Sequence, residues 1–388
     1  MNICGRRIHI AGSADPGADE TRLIYVHSLV SELTQALAKK GATFVIPFGR
    51  EPFLKDRTDG PSVIFDWTVA EAVHRTLVNG HTQALGPNGR LITTIATSKT
   101  DTQIPAKRRA IYEELRNSDA IVMEFLSPGW TAGASRRRRF GQIGDILIAV
   151  SGGEGVEHLA IEYSSKGKAV IPIDIQIGSS CGDGSGGASR LFERALEQPS
   201  DFFQVTTGQS PSDLLDRTRT RNGTTDVRNV VDSIMRLLHA LVPPRVFYAR
   251  VLNPAVSEYK SVERFFRDTV DHLVRELGYE PLQMGVGQNE FAWMNKAIFD
   301  SLHHSSVALV DLTALRHNCF MELGYALGNN QRVIVTARDD TRIPFDAFAL
   351  EVFPWNDSEN ATERIDRLRT HWQRNINMPP LVCPKQAK

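Results

Sequence analysis

Short apolar runs alternate with amphipathic helical stretches along this chain, and that alternation confines it to parallel α/β architecture. Arg7–Ser13 reads as a buried strand ending in the small residues Ala11, Gly12 and Ser13. The next segment carries Leu23, Val26, Val30, Leu33 and Leu37 at spacings of three and four, which is one face of a helix. Gly41 ends that helix and Thr43–Pro47 supplies the next strand. A strand, a helix and a strand of this size imply parallel pairing under a covering helix. The pattern continues. Arg90–Ile95 is a strand, Arg109–Asn117 a helix, and Asp119–Met123 a strand. Arg138–Gly144 leads into a strand at Asp145–Val150. A helix with Leu159, Ala160 and Tyr163 then precedes the strand Lys168–Ile173.

A second set follows. Gly178–Ser189 is rich in Gly and Ser and reads as a loop. Residues 190–224 look partly helical, and Asp226–Leu241 is an amphipathic helix stopped by Pro243-Pro244. Arg245–Val251 is a strand, and a helix with Val262, Phe266, Val270 and Leu273 ends at Gly278. Another helix runs from about residue 290 to 303. Ser306–Leu312 is a buried strand ending on an acid, a helix lies around Phe320–Leu327, and Arg332–Thr336 is the last clear strand. The expectation is an α/β protein with two Rossmann-like parallel-sheet domains in tandem. The expected boundaries are 1–190, a helical linker region 191–243, a second domain 244–357 and a C-terminal tail 358–388.

Composition excludes several function classes. Lys+Arg and Asp+Glu are both 45, so the formal net charge is +0. A protein that holds nucleic acid by a broad basic surface would not be balanced this way. No run of ~18 apolar residues exists, so no membrane span is expected. Residues 1–7 lack the apolar stretch of a secretory signal. Cys4, Cys181, Cys319 and Cys383 lie far apart, without the pairing of a zinc site or a disulfide framework. A cytoplasmic protein with no metal and no bound cofactor is expected.

Two constellations carry chemistry. The first is Ser151-Gly152-Gly153-Glu154-Gly155, between a buried strand and a helix. Glycines let a backbone approach a ligand closely, and the N–H groups of a helix start attract anions. A tight turn without a ligand would look the same. Arg136-Arg137-Arg138-Arg139 precedes that strand, and guanidinium forks match phosphate oxygens. Arginines, the strand Asp145–Ala149 and the run Gly152–Gly155 resemble the SLOG superfamily, which includes LOG-type nucleotide hydrolases and DprA-like proteins. Ile8–Ser13 resembles that family's first nucleotide-facing loop. The resemblance spans roughly residues 5–177. Active LOG enzymes have Pro-Gly-Gly-x-Gly-Thr and then a glutamate. Here Ser151 stands for Pro, Val156 for Thr, and Leu159 where the glutamate aligns. The resemblance therefore implies a sensor for a nucleotide-derived signal, with Gly12, Ser13, Arg136, Arg137, Gly152, Gly153, Glu154 and Gly155 around the signal.

The second constellation is Asp311-Leu312-Thr313 at a strand end, followed by Asn318-Cys319-Phe320-Met321-Glu322-Leu323-Gly324-Tyr325-Ala326. Asp311 at the carboxyl edge of a parallel sheet and Glu322 early in the next helix can face one cleft. Asn318 and Glu322, four apart, share a helix face. Asp311 and Asn318 are equally suited to capping the loop and helix. Val307–Ala326 resembles TIR-like nucleotide-binding domains and the related nucleoside 2-deoxyribosyltransferases, over about residues 245–355. The resemblance implies Glu322 as catalytic glutamate, with Asp311, Asn318, Tyr248, Arg250 and Asn253 binding substrate. Cleavage of an N-glycosidic bond passes through an oxocarbenium-like state that a carboxylate stabilises. NAD needs no acid for its leaving group, because nicotinamide departs as a neutral base. NAD is therefore the expected substrate, and Asp311 is a possible second acid. The whole reads as a bacterial defence protein, expected to be a homo-oligomer, in which a nucleotide signal turns on an N-glycosidase. A nucleoside deoxyribosyltransferase or nucleotide N-glycosidase of metabolism and a non-enzymatic nucleotide-binding signalling protein are the alternatives.

Overall fold

A computed structural model describes residues 1–55, 57–79, 91–126, 132–178, 187–206, 208–220, 222–283, 291–344 and 350–376. The Gly/Ser-rich stretch 179–186, with Cys181, lies outside the described residues, as does Cys383. The chain divides into two compact units, the first comprising Ile3–Val242 and the second beginning at Pro243.

In chain order, the first unit is β1 (Arg7–Ser13), α1 (Glu20–Lys39), β2 (Thr43–Val45), α2 (Asp66–Val78) and β3 (Ile92–Ala96). Next come α3 (Thr100–Gln103), α4 (Arg109–Asn117), β4 (Ile121–Phe125), α5 (Ala132–Ile143), β5 (Ile146–Ser151) and α6 (Glu154–Ser164). It closes with β6 (Ala169–Ile173), α7 (Gly187–Glu197), α8 (Pro211–Asp216) and α9 (Val227–Ala240). Its six strands are all parallel, in the order β4-β3-β2-β1-β5-β6. β1 and β5 lie side by side, in register from Ile8 with Ile146 to Ser13 with Ser151. The chain winds outward from β1 in one direction and from β5 in the other. Their carboxyl ends therefore form the switch point where open α/β sheets bind ligands.

The second unit is β7 (Arg245–Ala249), α10 (Tyr259–Phe265), a π-helical turn at Phe266–Val270, α11 (Asp271–Glu276) and β8 (Glu280–Leu282). α12 (Phe291–His303), β9 (Val307–Asp311), α13 (His317–Gly328), β10 (Arg332–Arg338), β11 (Val352–Trp355) and α14 (Ala361–Asn375) follow. Its five strands are also parallel, in the order β11-β10-β9-β7-β8, with the switch point between β7 and β9. Two core layers lie on opposite faces of this sheet. Val246, Tyr248, Val307 and Leu309 pack with the helices α10, α11 and α14. Phe247, Ala249, Ala308 and Val310 pack with α12 and α13. The period of two along each strand sorts them.

Two expected boundaries change. Residues 191–243 are not a separate linker. Leu191, Phe192 and Ala195 of α7 and Val230, Ile234, Leu237 and Leu238 of α9 are buried in the first unit's core. The tail 358–388 is helical over Ala361–Asn375 but is not separate from the second unit, since Leu368 and Trp372 of α14 are buried in that unit's core. Amphipathic stripes of this kind require a partner surface, and the sheets provide one.

Candidate functional site

At the first switch point the backbone turns sharply. Ser151 has φ +53° and Gly152 φ +77°, and the Gly152 N–H donates to the Ser13 carbonyl at 2.8 Å. Ser151 is fully buried, and its hydroxyl donates to the Gly178 carbonyl at 2.5 Å. A Cβ on Gly12 would lie 1.7 Å from the Val150 carbonyl oxygen, so strand pairing alone requires that glycine. Gly153 is buried at the head of α6, and the Gly187 N–H of α7 donates to the Gly152 carbonyl. Gly155 differs. It lies in the first turn of α6, and a Cβ there would meet nothing within 4 Å. Packing leaves Gly155 unexplained, although a glycine weakens a helix. Glu154 and Glu157 already complement the dipole of this helix, and Glu157 pairs with Arg190 at 2.5 Å. The charge at the start of this helix is therefore already balanced, and unbalanced positive charge lies elsewhere.

α5 supplies it. The arginine run splits by environment. Arg139 is committed to Glu124 through two hydrogen bonds of 2.7 and 3.0 Å, and Arg138 is exposed. Arg136 and Arg137 are half-buried. Nε and Nη2 of Arg136 and Nε of Arg137 are buried donors without a hydrogen-bond partner. Within electrostatic reach of Arg136 is Asp66, the first residue of α2, whose carboxyl is pushed by burial from 3.8 up to about 7, opposed by the charge of Arg136. Sequence reasoning missed Asp66. The signal was there, in an acid directly before the amphipathic run Trp67, Val69, Ala70 and Val73.

At the second switch point the residues expected to act together are divided by the sheet. Asp311 ends β9, is 3 % exposed, and faces the α10 side. Its Oδ2 accepts from the Thr336 hydroxyl at 2.8 Å and from the Trp355 indole at 3.0 Å. Its Oδ1 accepts from the Thr313 N–H at 3.1 Å. Burial raises the Asp311 carboxyl and these donors lower it again. Asp311 thus ties β9, β10 and β11 together and does not share a face with Glu322. Tyr248 also departs from expectation. It is buried on the α10 side with its hydroxyl donating to Asp271 at 2.9 Å, because alternation along β7 turns it away from α13. Arg250 follows it. Its guanidinium lies 4.8 Å over Phe266 and donates to Glu263 at 2.7 Å and Gln283 at 2.6 Å, while its buried Nε has no partner. Asn253 is exposed and accepts from the Ala255 N–H at 3.0 Å, a local turn.

On the other face, Asn318 is exposed in the first turn of α13 and Glu322 lies one turn on. Glu322 is half-buried and has no hydrogen bond or ion pair among the described residues. Burial pushes its carboxyl from 4.5 up to about 7. Nearby Cys319 is pushed up to about 12 by burial and then by the charges of Glu322 and Asp311, so it is a neutral core thiol. Leu315, in the loop before α13, takes φ +47°, as strained a backbone as Ser151 at the first switch point. Among the described residues no group of three or more His, Cys, Asp or Glu could hold a metal ion, and no helix is long and apolar enough to cross a membrane.

Residues 3–238 match the family model described as ATP nucleosidase Cap17-like, N-terminal. Two curated relatives, both named ATP nucleosidase Cap17, one from Escherichia coli strain KTE188 and one from Escherichia coli, are 24 % identical over 216 residues. The match covers 55 % of this chain and 41 % of each relative, so this chain spans about two fifths of the relatives' length. The X-ray structure of TM1055, a structural-genomics target, aligns with 60 % of this chain and 99 % of its own at 15 % identity and a TM-score of 0.29.

Proposed function

The chain belongs to the Cap17-like N-terminal family through residues 3–238, and on that premise we propose a two-part defence effector. In this reading the first unit binds a nucleotide-derived signal, and the second hydrolyses an N-glycosidic bond through Glu322. The family is defined on an N-terminal segment, and in this chain that segment is followed by a different α/β unit with its own unpaired carboxylate. Binding of the signal would assemble copies of the chain and complete the second site.

One observation carries the assignment of chemistry to Glu322. A carboxyl raised by burial alone is a negative charge that its surroundings do not balance. Such a charge is stabilised most by a positive centre brought against it. The cationic nicotinamide riboside of NAD is such a centre, and so is the oxocarbenium-like state of its cleavage. Asp311 no longer competes for the role of second acid, because three donors occupy it. One available carboxylate suits a substrate whose leaving group needs no proton.

A second reading has its own support. The relatives are named for ATP, whose adenine leaves more easily when protonated. A carboxyl titrating near 7 is half-protonated at neutral pH and could deliver that proton. The purified chain, incubated separately with NAD and with ATP and followed by chromatography, tests both. Release of nicotinamide supports the first reading and release of adenine the second. Release of neither, with and without candidate signal nucleotides, refutes the assignment of an N-glycosidase.

A further inference from the structure

α2 and α5 both begin at the carboxyl edge of the first sheet, as helices leaving parallel strands must. Ser13, the last residue of β1, bridges Ile64, which brings the head of α2 and its Asp66 over the β1 side of the switch point. On α5, Arg136 brings two buried, unpartnered N–H groups into electrostatic reach of Asp66. Yet the acid and the base form no ion pair, and no hydrogen bond within the described residues reaches either Asp66 or those two donors. Opposite charges at half-buried positions ordinarily close on each other when the chain allows it, since each is costly alone. Here two separate helices hold them apart at the edge where α/β sheets take their ligands.

We propose that Asp66 and Arg136 form a two-point clamp for a ribonucleotide, with the guanidinium on a phosphate and the carboxylate on the ribose hydroxyls. The chemistry of each group sets its half. A guanidinium fork matches phosphate oxygens, with Arg137 beside it as a second donor, and an ionised carboxylate accepts from both hydroxyls of a vicinal diol. Gly155 leaves the first turn of α6 open for the body of the ligand. Asp66 thereby selects ribonucleotides over dideoxynucleotides and over inorganic phosphate, while Arg136 contributes equally to any nucleotide. The proposal rests on the reading that the first unit binds a nucleotide and adds what that nucleotide must carry.

Calorimetry on the full chain tests it, with ATP and 2′,3′-dideoxy-ATP as probes. A Glu322→Gln background keeps turnover at the second unit from consuming them. We expect ATP to bind at least ~10-fold tighter than the dideoxy compound, the scale of a charge-assisted hydrogen bond or two. Asp66→Asn should abolish most of that preference, with a circular-dichroism spectrum and melting midpoint like the parent's showing that the variant is folded. Arg136→Ala should weaken both probes by the same ~10- to 100-fold. Equal binding of the two probes by the unsubstituted clamp would overturn the role of Asp66 while leaving a nucleotide site in place. Binding of neither probe would overturn the clamp and the nucleotide reading together. A preference that survives Asp66→Asn would place the ribose elsewhere and refute the clamp.

Discussion

The two switch points are built from the same backbone and charged in opposite ways. Each joins a central parallel strand to a helix through a residue with positive φ, Ser151 in one and Leu315 in the other. At the first, the unsatisfied groups are guanidinium donors, with a carboxyl titrating near 7 within electrostatic reach of Arg136. At the second, the terminal nitrogens of Arg250 are engaged by Glu263 and Gln283 and only its Nε lacks a partner, Asp311 is fully hydrogen-bonded, and the carboxyl left without a hydrogen bond or ion pair among the described residues is Glu322. Unpaired donors favour an anion in its ground state. An unpaired carboxylate favours a positive charge, including one that develops during reaction. In the reading proposed above, this difference suits the first unit to recognition and the second to chemistry.

The largest expected effect breaks that division at one atom. Glu322→Gln keeps shape and removes charge, and glycosidic cleavage should fall by at least ~100-fold, as on loss of one strong electrostatic contact. Nucleotide binding by the first unit should be unchanged in calorimetry. Asp311→Asn, at a neighbouring position but on the other face, should behave differently. It leaves the Thr336 hydroxyl or the Trp355 indole facing an amide hydrogen in a buried site, which costs about 1–3 kcal/mol of stability. Its effect on turnover should follow the fraction folded, as seen by comparing melting curves with specific activity. A Glu322-like loss of turnover without lost stability would place Asp311 in the chemistry.

A pH series sharpens the contrast further. The folded Glu322 carboxyl titrates near 7 against an ordinary 4.5, so between those values the folded state holds the extra proton. Stability contributed by this group is present below 4.5 and is lost as pH rises to 7. Glu322→Gln removes that loss. The variant should therefore gain on the wild type in denaturant midpoint between pH 4.5 and 7.5, with the gain moderated by partial solvent exposure. A flat difference across that range would show that Glu322 is not electrostatically stranded. The smallest effect concerns the first unit. Gly155→Ala should raise stability by about 0.5–1 kcal/mol, since the position is helical and a Cβ meets nothing there. It should weaken ATP binding if the ligand crosses that turn.

Much of the fold was readable because buried parallel strands are continuous apolar runs. β1 and α4 fall where periodicity placed them, at Arg7–Ser13 and Arg109–Asn117. β8 and β11 were not readable. They have three and four residues, and each holds a proline, Pro281 and Pro354, which only edge strands tolerate. α2 was missed because an irregular segment precedes it, and Asp66 was missed with it. In the second unit the motif pointed to the carboxyl edge, but it could not say which face each side chain takes. Alternation along β7 and β9 could have done so. Tyr248 shares the parity of Val246, and Asp311 that of Leu309, and both turn away from the α13 face. The paired state of Arg139 depends on Glu124, a contact between a helix and a strand that no local pattern records.

The most direct measurement is nicotinamide release from NAD by the full-length chain, wild type beside Glu322→Gln, at matched folded concentration and with ATP present to occupy the first unit. We expect steady release by the wild type and at least a ~100-fold slower rate in the variant, with unchanged nucleotide affinity. Equal release by both proteins would contradict the assignment of chemistry to Glu322 and leave the second unit as a binding module.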